Sequence, residues 1–298
     1  MNEIEISVII PHYQSVDTLK RCLDSIPQVP CIQVIIVDDC SPDIQSWEEV
    51  QKNYSTFKFI RLENNGGAGR ARNEGLKAAK GKWLIFADAD DYFLPNAFEC
   101  LMKNCVNEAD VIYFKTCGWD IIKEVETNRY LKLCRFVDDF INGKEGAENS
   151  LRYRWHGPCA KMIRKSLVDE NNIMFDETRY SNDVMFSTKV GYFAKKVDAD
   201  CNKIYCIVES SGSLTKKKNY NAILCRYEVM CRYNSFLKNI GQANKQAVVL
   251  RFYFIALRFE PRCIIPMIKC NFKYHVSIWA GLNRCFEGFN IKTAFSHF

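Results

Sequence analysis

The 298-residue sequence has no apolar run of 18 residues or more, so no segment of it reads as a membrane-spanning helix. It lacks a Gly-x-x-x-x-Gly-Lys-Ser/Thr loop and a Gly-x-Gly-x-x-Gly turn, which sets aside the P-loop and Rossmann routes to a nucleotide. No Ser or Cys stands in a recognised nucleophile context. Histidine is scarce. His12, His156, His275 and His297 share no ligand spacing with a cysteine pair, which argues against a zinc site. Cysteine is plentiful at 15, but the count is odd, the residues are scattered, and no Cys-x-x-Cys pair occurs. The acidic opening MNEIEISVII enters a strand at once and has no secretory signal, so free thiols in a reducing cytoplasm are expected.

Acid is the other shortage, and it is confined to one end. From Lys216 to Phe298 there are 14 Lys and Arg against three Asp and Glu, whereas the first 215 residues carry 27 against 32. The overall charge of +6 therefore averages a basic segment and a mildly acidic body. Such asymmetry points to an acidic partner. The stretch YFIALRFEPRCIIPMIKCNFKYHVSIWAGLNRCF mixes aromatics, aliphatics and cations as interfacial helices on anionic lipid do. A helical extension packed on the body or on a partner subunit shares this composition. So does an RNA surface, but no nucleic-acid module is recognisable, and nucleic acid is not expected as a partner.

What the sequence does have is alternation. IEISVIIP (4–11), IQVIIVDD (32–39), FKFIRL (57–62) and WLIF (83–86) read as strands, with ADVIYFKT (109–116) as a fifth. Helical patterns VDTLKRCLDSI and DIQSWEEVQKNY, and a Gly-rich turn running into a helix that stops at Gly81, separate them. Unbroken apolar strands alternating with helices imply a largely parallel α/β sheet flanked by helices, whose ligands bind beyond the carboxyl ends of the strands. Pro11, His12 and Tyr13 end the first strand, Asp38 and Asp39 the second, and Asp88, Asp90 and Asp91 the fourth. With 17 Asp in the chain, about one Asp-x-Asp triplet is expected by chance, so the triplet alone says little. Asp-Ala-Asp indeed recurs at 198–200, but there it precedes the strand KIYCIV and reads as ordinary surface.

Carboxylates gathered on one edge repel one another unless a cation or a hydrogen-bonding ligand is present. Oxygen donors of this kind suit Mn²⁺ or Mg²⁺, which bind through one or two carboxylates plus substrate phosphates. A nucleoside diphosphate would complete such a site, with Asp38 and Asp39 accepting hydrogen bonds from a base or ribose. The bland alternative is that acidic loops merely end strands and cap helices.

The segments SVIIPHYQSVDTLKRCLDSI, VIIVDDCSPD, ENNGGAGRARNEGLKAAKGKWLIFADADDYFLPNAFE and YSNDVMFSTKVGYF follow in order a known pattern. Over residues 4 to 215 the chain resembles the family 2 glycosyltransferases of GT-A fold. The resemblance implies a catalytic domain at 1–215 and a basic helical extension at 216–298. It further implies a nucleoside-diphosphate sugar donor, most often a UDP-sugar, a divalent metal, and inversion at the anomeric carbon. By position, Asp39 resembles the residue that binds the nucleobase, with Pro11 and Tyr13 beside the uracil. Asp88 resembles the residue next to ribose and diphosphate, Asp90 the metal ligand, and Asp183 the catalytic base. Two departures stand out: Cys40 where the family usually has Gly, and Asn182-Asp183 where it often has Glu-Asp.

The residues themselves agree on Asp183 as far as they go. DVMFSTKVGYF has helical spacing with Asn182 as its N-cap, and an Asp in the first turn is favoured by the helix dipole whatever its role. The same dipole keeps the carboxylate ionised, as a general base requires. Trp155, His156 and Lys161 have the chemistry to touch a sugar or phosphate, but packing is their simpler role and they stay outside the expected catalytic set. The expectation is an inverting, metal-dependent glycosyltransferase, cytoplasmic and peripheral to the inner face of the membrane. It would extend a glycan or lipid-linked glycan for capsular polysaccharide, exopolysaccharide or lipopolysaccharide. The rivals are a sugar nucleotidyltransferase and a non-catalytic sugar-nucleotide or glycan-binding protein.

Overall fold

Seven consecutive residues, Ile6–His12, form β1 with every side chain buried, which only a strand covered on both faces allows. The computed structural model describes residues 3–128, 130–209 and 217–282. After β1 come α1 (Val16–Asp24), β2 (Ile32–Asp38), α2 (Ile44–Asn53), β3 (Lys58–Arg61), α3 (Ala68–Ala78) and β4 (Trp83–Phe86). Then follow β5 (Tyr92–Phe93), α4 (Ala97–Asn104), β6 (Val111–Asp120), β7 (Val125–Glu126), α5 (Leu131–Ile141), α6 (Ala147–Arg154), β8 (Lys161–Arg164) and α7 (Lys165–Glu170). The chain continues with α8 (Val184–Phe193), β9 (Val197–Glu209), α9 (Tyr220–Asn239), α10 (Leu250–Phe259) and α11 (Ile264–Tyr274).

The strands form one sheet in the order β3-β2-β1-β4-β8-β6-β9-β5, with β7 paired to β6. β3, β2, β1 and β4 are mutually parallel, as their continuous apolar sequences imply. β8 then runs antiparallel between β4 and β6, and β9 returns parallel to β6. The fold is the expected α/β one: a mostly parallel, curled sheet flanked by helices, with a helical C-terminal region. β5 is a two-residue strand that the sequence does not announce; it pairs with β9 through Tyr92 and Cys206. The second Asp-Ala-Asp corrects an expectation: Asp198 and Asp200 lie inside β9 and do not precede it.

Close packing of α3 on β1 fixes what α3 presents to the edge. A Cβ at Gly75 would meet Ile9 Cγ2 at 2.4 Å, so only glycine lets the helix approach this near. Asn73, two residues earlier on α3, is buried and clamps the chain at Phe175, accepting from its N–H at 2.9 Å and donating to its carbonyl at 3.1 Å.

The chain divides into two compact units, Met1–Glu177 with Phe186–Ser213, and Thr178–Met185 with Leu214–Phe298. The boundary expected at 215/216 lies outside the described residues. The first unit contains the whole sheet. The second contains α9, α10 and α11 and the stretch that carries Asp183. No helix among the described residues is long and apolar enough to cross a membrane.

Candidate active site

The site grows from the carboxyl ends of β2, β1 and β4. Because β1 lies between the other two, the residues after β2 and after β4 are two strand spacings, roughly 10 Å, apart. Pro11 is buried at the end of β1, His12 is buried beside it, and Tyr13 turns outward at 46% exposure. Ser15 N–H donates to His12 Nε2 at 3.2 Å, which leaves the ring proton on Nδ1, 3.0 Å from Asp38 Oδ1. The His12 ring also stacks on Trp47 with centroids 5.5 Å apart.

Asp38 and Asp39 are neighbours with different work. Asp38 is fully buried and taken up by His12, by Ser41 N–H at 3.0 Å and by Arg61 at 3.3 Å. Burial alone would raise its carboxyl, but the hydrogen bonds from His12 and Ser41 outweigh burial and hold it below the ordinary carboxylate range. Asp38 therefore does not offer itself to a base or ribose, contrary to expectation. Asp39 is also buried, and its two oxygens accept from Gly66 N–H and Gly67 N–H, each at 2.7 Å. Gly67, at φ +86°, caps α3 without a side chain, so Asp39 supplies the anion that the start of this helix favours. The Gly-rich turn thus cradles a carboxylate of its own chain. Cys40 follows at φ +63°, a left-handed conformation that explains why glycine would be preferred there.

After β4 the three acids separate. Asp91 is buried, accepting from Val208 N–H at 2.8 Å and bonding to the Tyr205 hydroxyl. Burial, with the charges of Asp88 and Asp90, lifts its carboxyl well above the usual range. Asp88 is partly exposed, is paired with Arg72 of α3, and donates its N–H to Tyr205 Oη at 2.8 Å. Asp90 is exposed and forms no ion pair among the described residues. Its carboxyl is raised first by partial desolvation and then by the Asp88 charge. The Arg21 guanidinium bonds the Asp90 carbonyl and covers the Tyr92 ring at 5.6 Å, fixing the loop that bears Asp90. Cys159 Sγ completes a group with Asp88 and Asp91 whose ligand atoms lie within 4.8 Å of one another.

These surroundings fit a hard divalent cation. Asp90 is an exposed carboxylate in no ion pair among the described residues, and its proton affinity is raised by desolvation and by Asp88 despite the guanidinium groups of Arg21 and Arg72, a demand that Mn²⁺ or Mg²⁺ meets. Asp88 is the second oxygen donor within reach of the same loop. The Cys159 thiol is a soft donor and adds nothing for such an ion; burial, with the charges of Asp88 and Asp91, pushes its ionisation far up.

Residues 7–169 match the sequence model of glycosyl transferase family 2. The chain belongs to that family. This family 2 chain is 27% identical over 226 residues to an uncharacterized glycosyltransferase, EpsJ, of Bacillus subtilis, covering 71% of itself and 63% of that protein. It is 28% identical over 263 residues to the poly(ribitol-phosphate) beta-N-acetylglucosaminyltransferase TarS of Staphylococcus aureus, covering 84% of itself and 44% of TarS. The match thus spans less than two thirds of either relative's length. Its fold is that of the crystal structure of S. aureus TarS 1–349 in complex with UDP-GlcNAc, with TM-score 0.71 at 23% identity over 91% of this chain and 80% of that one. A mannosyltransferase from Pyrobaculum calidifontis, solved with GDP-Man and Mn²⁺, matches with TM-score 0.56 at 14% identity over 99% of this chain and 79% of the other. The chain therefore has the GT-A fold.

Pro11, Tyr13, Asp39, Asp88 and Asp90 all fall in the first unit. Asp183 falls in the second, half-buried, and directly precedes Val184, where α8 begins. It takes the cap position expected of Asn182, whose side-chain amide instead donates to the Thr178 carbonyl at 3.4 Å. Trp155 and Lys161 are packed: Trp155 is 1% exposed, and Lys161 Nζ donates to the Trp155 carbonyl at 2.8 Å beneath the Tyr113 ring. His156 is half-buried against the Tyr153 carbonyl. Sequence reasoning missed Arg21, Arg72 and Tyr205. Arg72 had a signal, an arginine one turn into the helix after the Gly-rich turn. Tyr205 had none, standing 117 residues beyond the Asp88 N–H that it accepts.

Proposed function

We propose that this chain transfers a sugar, with inversion, from a UDP-sugar to a hydroxyl of a glycan or lipid-linked glycan, at the cytoplasmic face of the membrane, in the synthesis of a surface polysaccharide. The observation that carries this reading is the exposed Asp90, in no ion pair among the described residues, beside Asp88 on the same sheet edge as Pro11, Tyr13 and Asp39. An extended nucleoside diphosphate spans that edge from its base to its phosphates. In this reading Tyr13 and Pro11 flank the base and Asp39 accepts from it, keeping its existing bonds to Gly66 and Gly67. Asp88 lies by the ribose and diphosphate, and Asp90 with Asp88 holds Mn²⁺ or Mg²⁺. Such an ion, when bound, supplies Lewis-acid neutralisation of the charge on a departing diphosphate.

Asp183 is the base. The acceptor oxygen bonds to the anomeric carbon, the bond from that carbon to the diphosphate oxygen breaks with its electron pair leaving on the diphosphate, and the hydroxyl proton passes to Asp183. Its seat at the head of α8 keeps the carboxylate ionised for that task. The basic segment at 216–298 holds the enzyme against the membrane that carries a lipid-linked acceptor. A poly(ribitol-phosphate) chain is the second acceptor reading, favoured by what TarS and a Bacillus spizizenii beta-glucosyltransferase are named for.

Asp183→Asn keeps the shape and capping ability but takes no proton. Its transfer rate should fall by about 10²–10⁴-fold with donor affinity and stability unchanged. Screening UDP-, GDP- and dTDP-sugars with Mn²⁺ for thermal stabilisation should single out a UDP-sugar. A parental rate for Asp183→Asn, or a product that keeps the donor's anomeric configuration, defeats the reading.

A further inference from the structure

α10 and α11 turn the wrong residues outward for helices that face water. On α10 the buried positions are Phe252 and Ala256, while Phe254 and Leu257 are 52% and 60% exposed. On α11 only Met267 is buried, while Ile265, Ile268 and Phe272 are 68%, 42% and 76% exposed. The spacings are helical, 254/257 and 265/268/272, so each helix carries an outward apolar stripe. Cations flank both stripes: Arg251 and Arg258 on α10, Lys269 on α11, all exposed and none in an ion pair among the described residues. Neither helix contains an Asp or Glu. Each has 10 or 11 residues, about 15 Å of helix, too short to cross a bilayer and long enough to lie in its surface.

We infer that the outward faces of α10 and α11 insert into the headgroup region of an anionic phospholipid bilayer, with Arg251, Arg258 and Lys269 on lipid phosphates and Phe254, Leu257 and Phe272 among the upper acyl carbons. The inference rests on the membrane part of the proposed function and names the surface that performs it. Cations alone would suit any polyanion, and apolar stripes alone would suit another protein. The core of a protein interface is depleted in charged residues, and a nucleic-acid backbone offers nothing to an aliphatic stripe. Apolar residues interleaved with cations, with acid absent from both helices, complement a layer that is anionic at its surface and apolar just beneath.

The full chain is tested by co-sedimentation with sucrose-loaded vesicles of phosphatidylcholine, with and without phosphatidylglycerol. Parental protein should bind only the anionic vesicles, and less at high salt. Arg251→Gln/Arg258→Gln/Lys269→Gln should bind them about a hundredfold more weakly, and Phe254→Ala/Leu257→Ala/Phe272→Ala at least roughly tenfold more weakly. All six residues are exposed, so thermal unfolding should stay parental. Trp279, at 60% exposure the exposed one among the described tryptophans, should be quenched by lipids brominated near the headgroup, and Trp279→Phe should lose that quenching. Equal binding to both vesicle types overturns the inference, as does parental binding by either triple variant. Absence of vesicle binding, with self-association that Phe272→Ala abolishes, assigns the face to a second copy and overturns it too. UDP-sugar hydrolysis on the same proteins separates the two readings: hydrolysis without vesicle binding defeats this inference alone, and vesicle binding without hydrolysis defeats the enzymatic one.

Discussion

Asp-Ala-Asp occurs twice in the chain, and its two copies live in opposite surroundings. In β9, Asp198 accepts from Asn107 Nδ2 at 2.7 Å and Ala199 N–H at 2.8 Å. Asp200 accepts from Asn202 N–H at 2.8 Å, from Asn202 Nδ2 at 2.7 Å and from Asn104 Nδ2 at 3.0 Å. Burial would raise the Asp200 carboxyl, yet these donors outweigh it and hold it below the ordinary range. After β4 the balance is reversed. Asp88 is paired with one guanidinium, Asp90 is in no ion pair among the described residues, and the Asp90 carboxyl is raised by desolvation and by the Asp88 charge even with Arg21 and Arg72 nearby. A carboxylate whose oxygens are filled by neutral donors supports structure. One whose demand is unmet is prepared for something that arrives from solution. The triplet is thus defined by what surrounds it, not by its letters.

The largest effect expected from breaking this contrast is at Asp90. Asp90→Ala should lower the transfer rate by about a thousandfold or more, since a bound ion supplies several kcal/mol of transition-state stabilisation. Its melting temperature should stay parental because an exposed side chain supports no core. Asp200→Ala should do the reverse. Losing the acceptor for two asparagine amides should cost roughly 1–2 kcal/mol, or a few degrees in Tm, while the transfer rate stays within about twofold of the parent. A smaller, pH-dependent effect sharpens the contrast within the first copy. Asp91 has a raised carboxyl, so its contribution to stability is fullest below its unfolded pKa and is lost as pH rises through the folded value. Asp91→Asn keeps an acceptor for Val208 N–H and does not titrate. The parent's stability relative to this variant should therefore fall steadily from acid toward neutral pH in metal-free denaturant titrations; a pH-independent difference would contradict the assignment.

Much of this was legible in the sequence for one physical reason: unbroken apolar strands of a parallel sheet place their following residues on one edge. β1, β2 and β4, and with them Asp39, Asp88 and Asp90, followed from that rule. The inward turn of Asp91 did not, because a loop has no period and adjacent acids show no sign of which will be buried. Nor did the β9 contacts, since the Tyr205 hydroxyl and the Val208 N–H reach the acidic loop across 117 residues of chain. Asp38 misled because two adjacent acids at a strand end look alike, while His12, Ser41 and Arg61 claim only the first.

The most direct measurement is the calorimetric titration of UDP, with and without Mn²⁺, into three proteins: the parent, Asp88→Asn/Asp90→Asn and Asp198→Asn/Asp200→Asn. The account predicts Mn²⁺-dependent binding in the parent and in the 198/200 variant with similar affinity, and its loss in the 88/90 variant. Parental binding by the 88/90 variant, or loss of binding in the 198/200 variant alone, would contradict it.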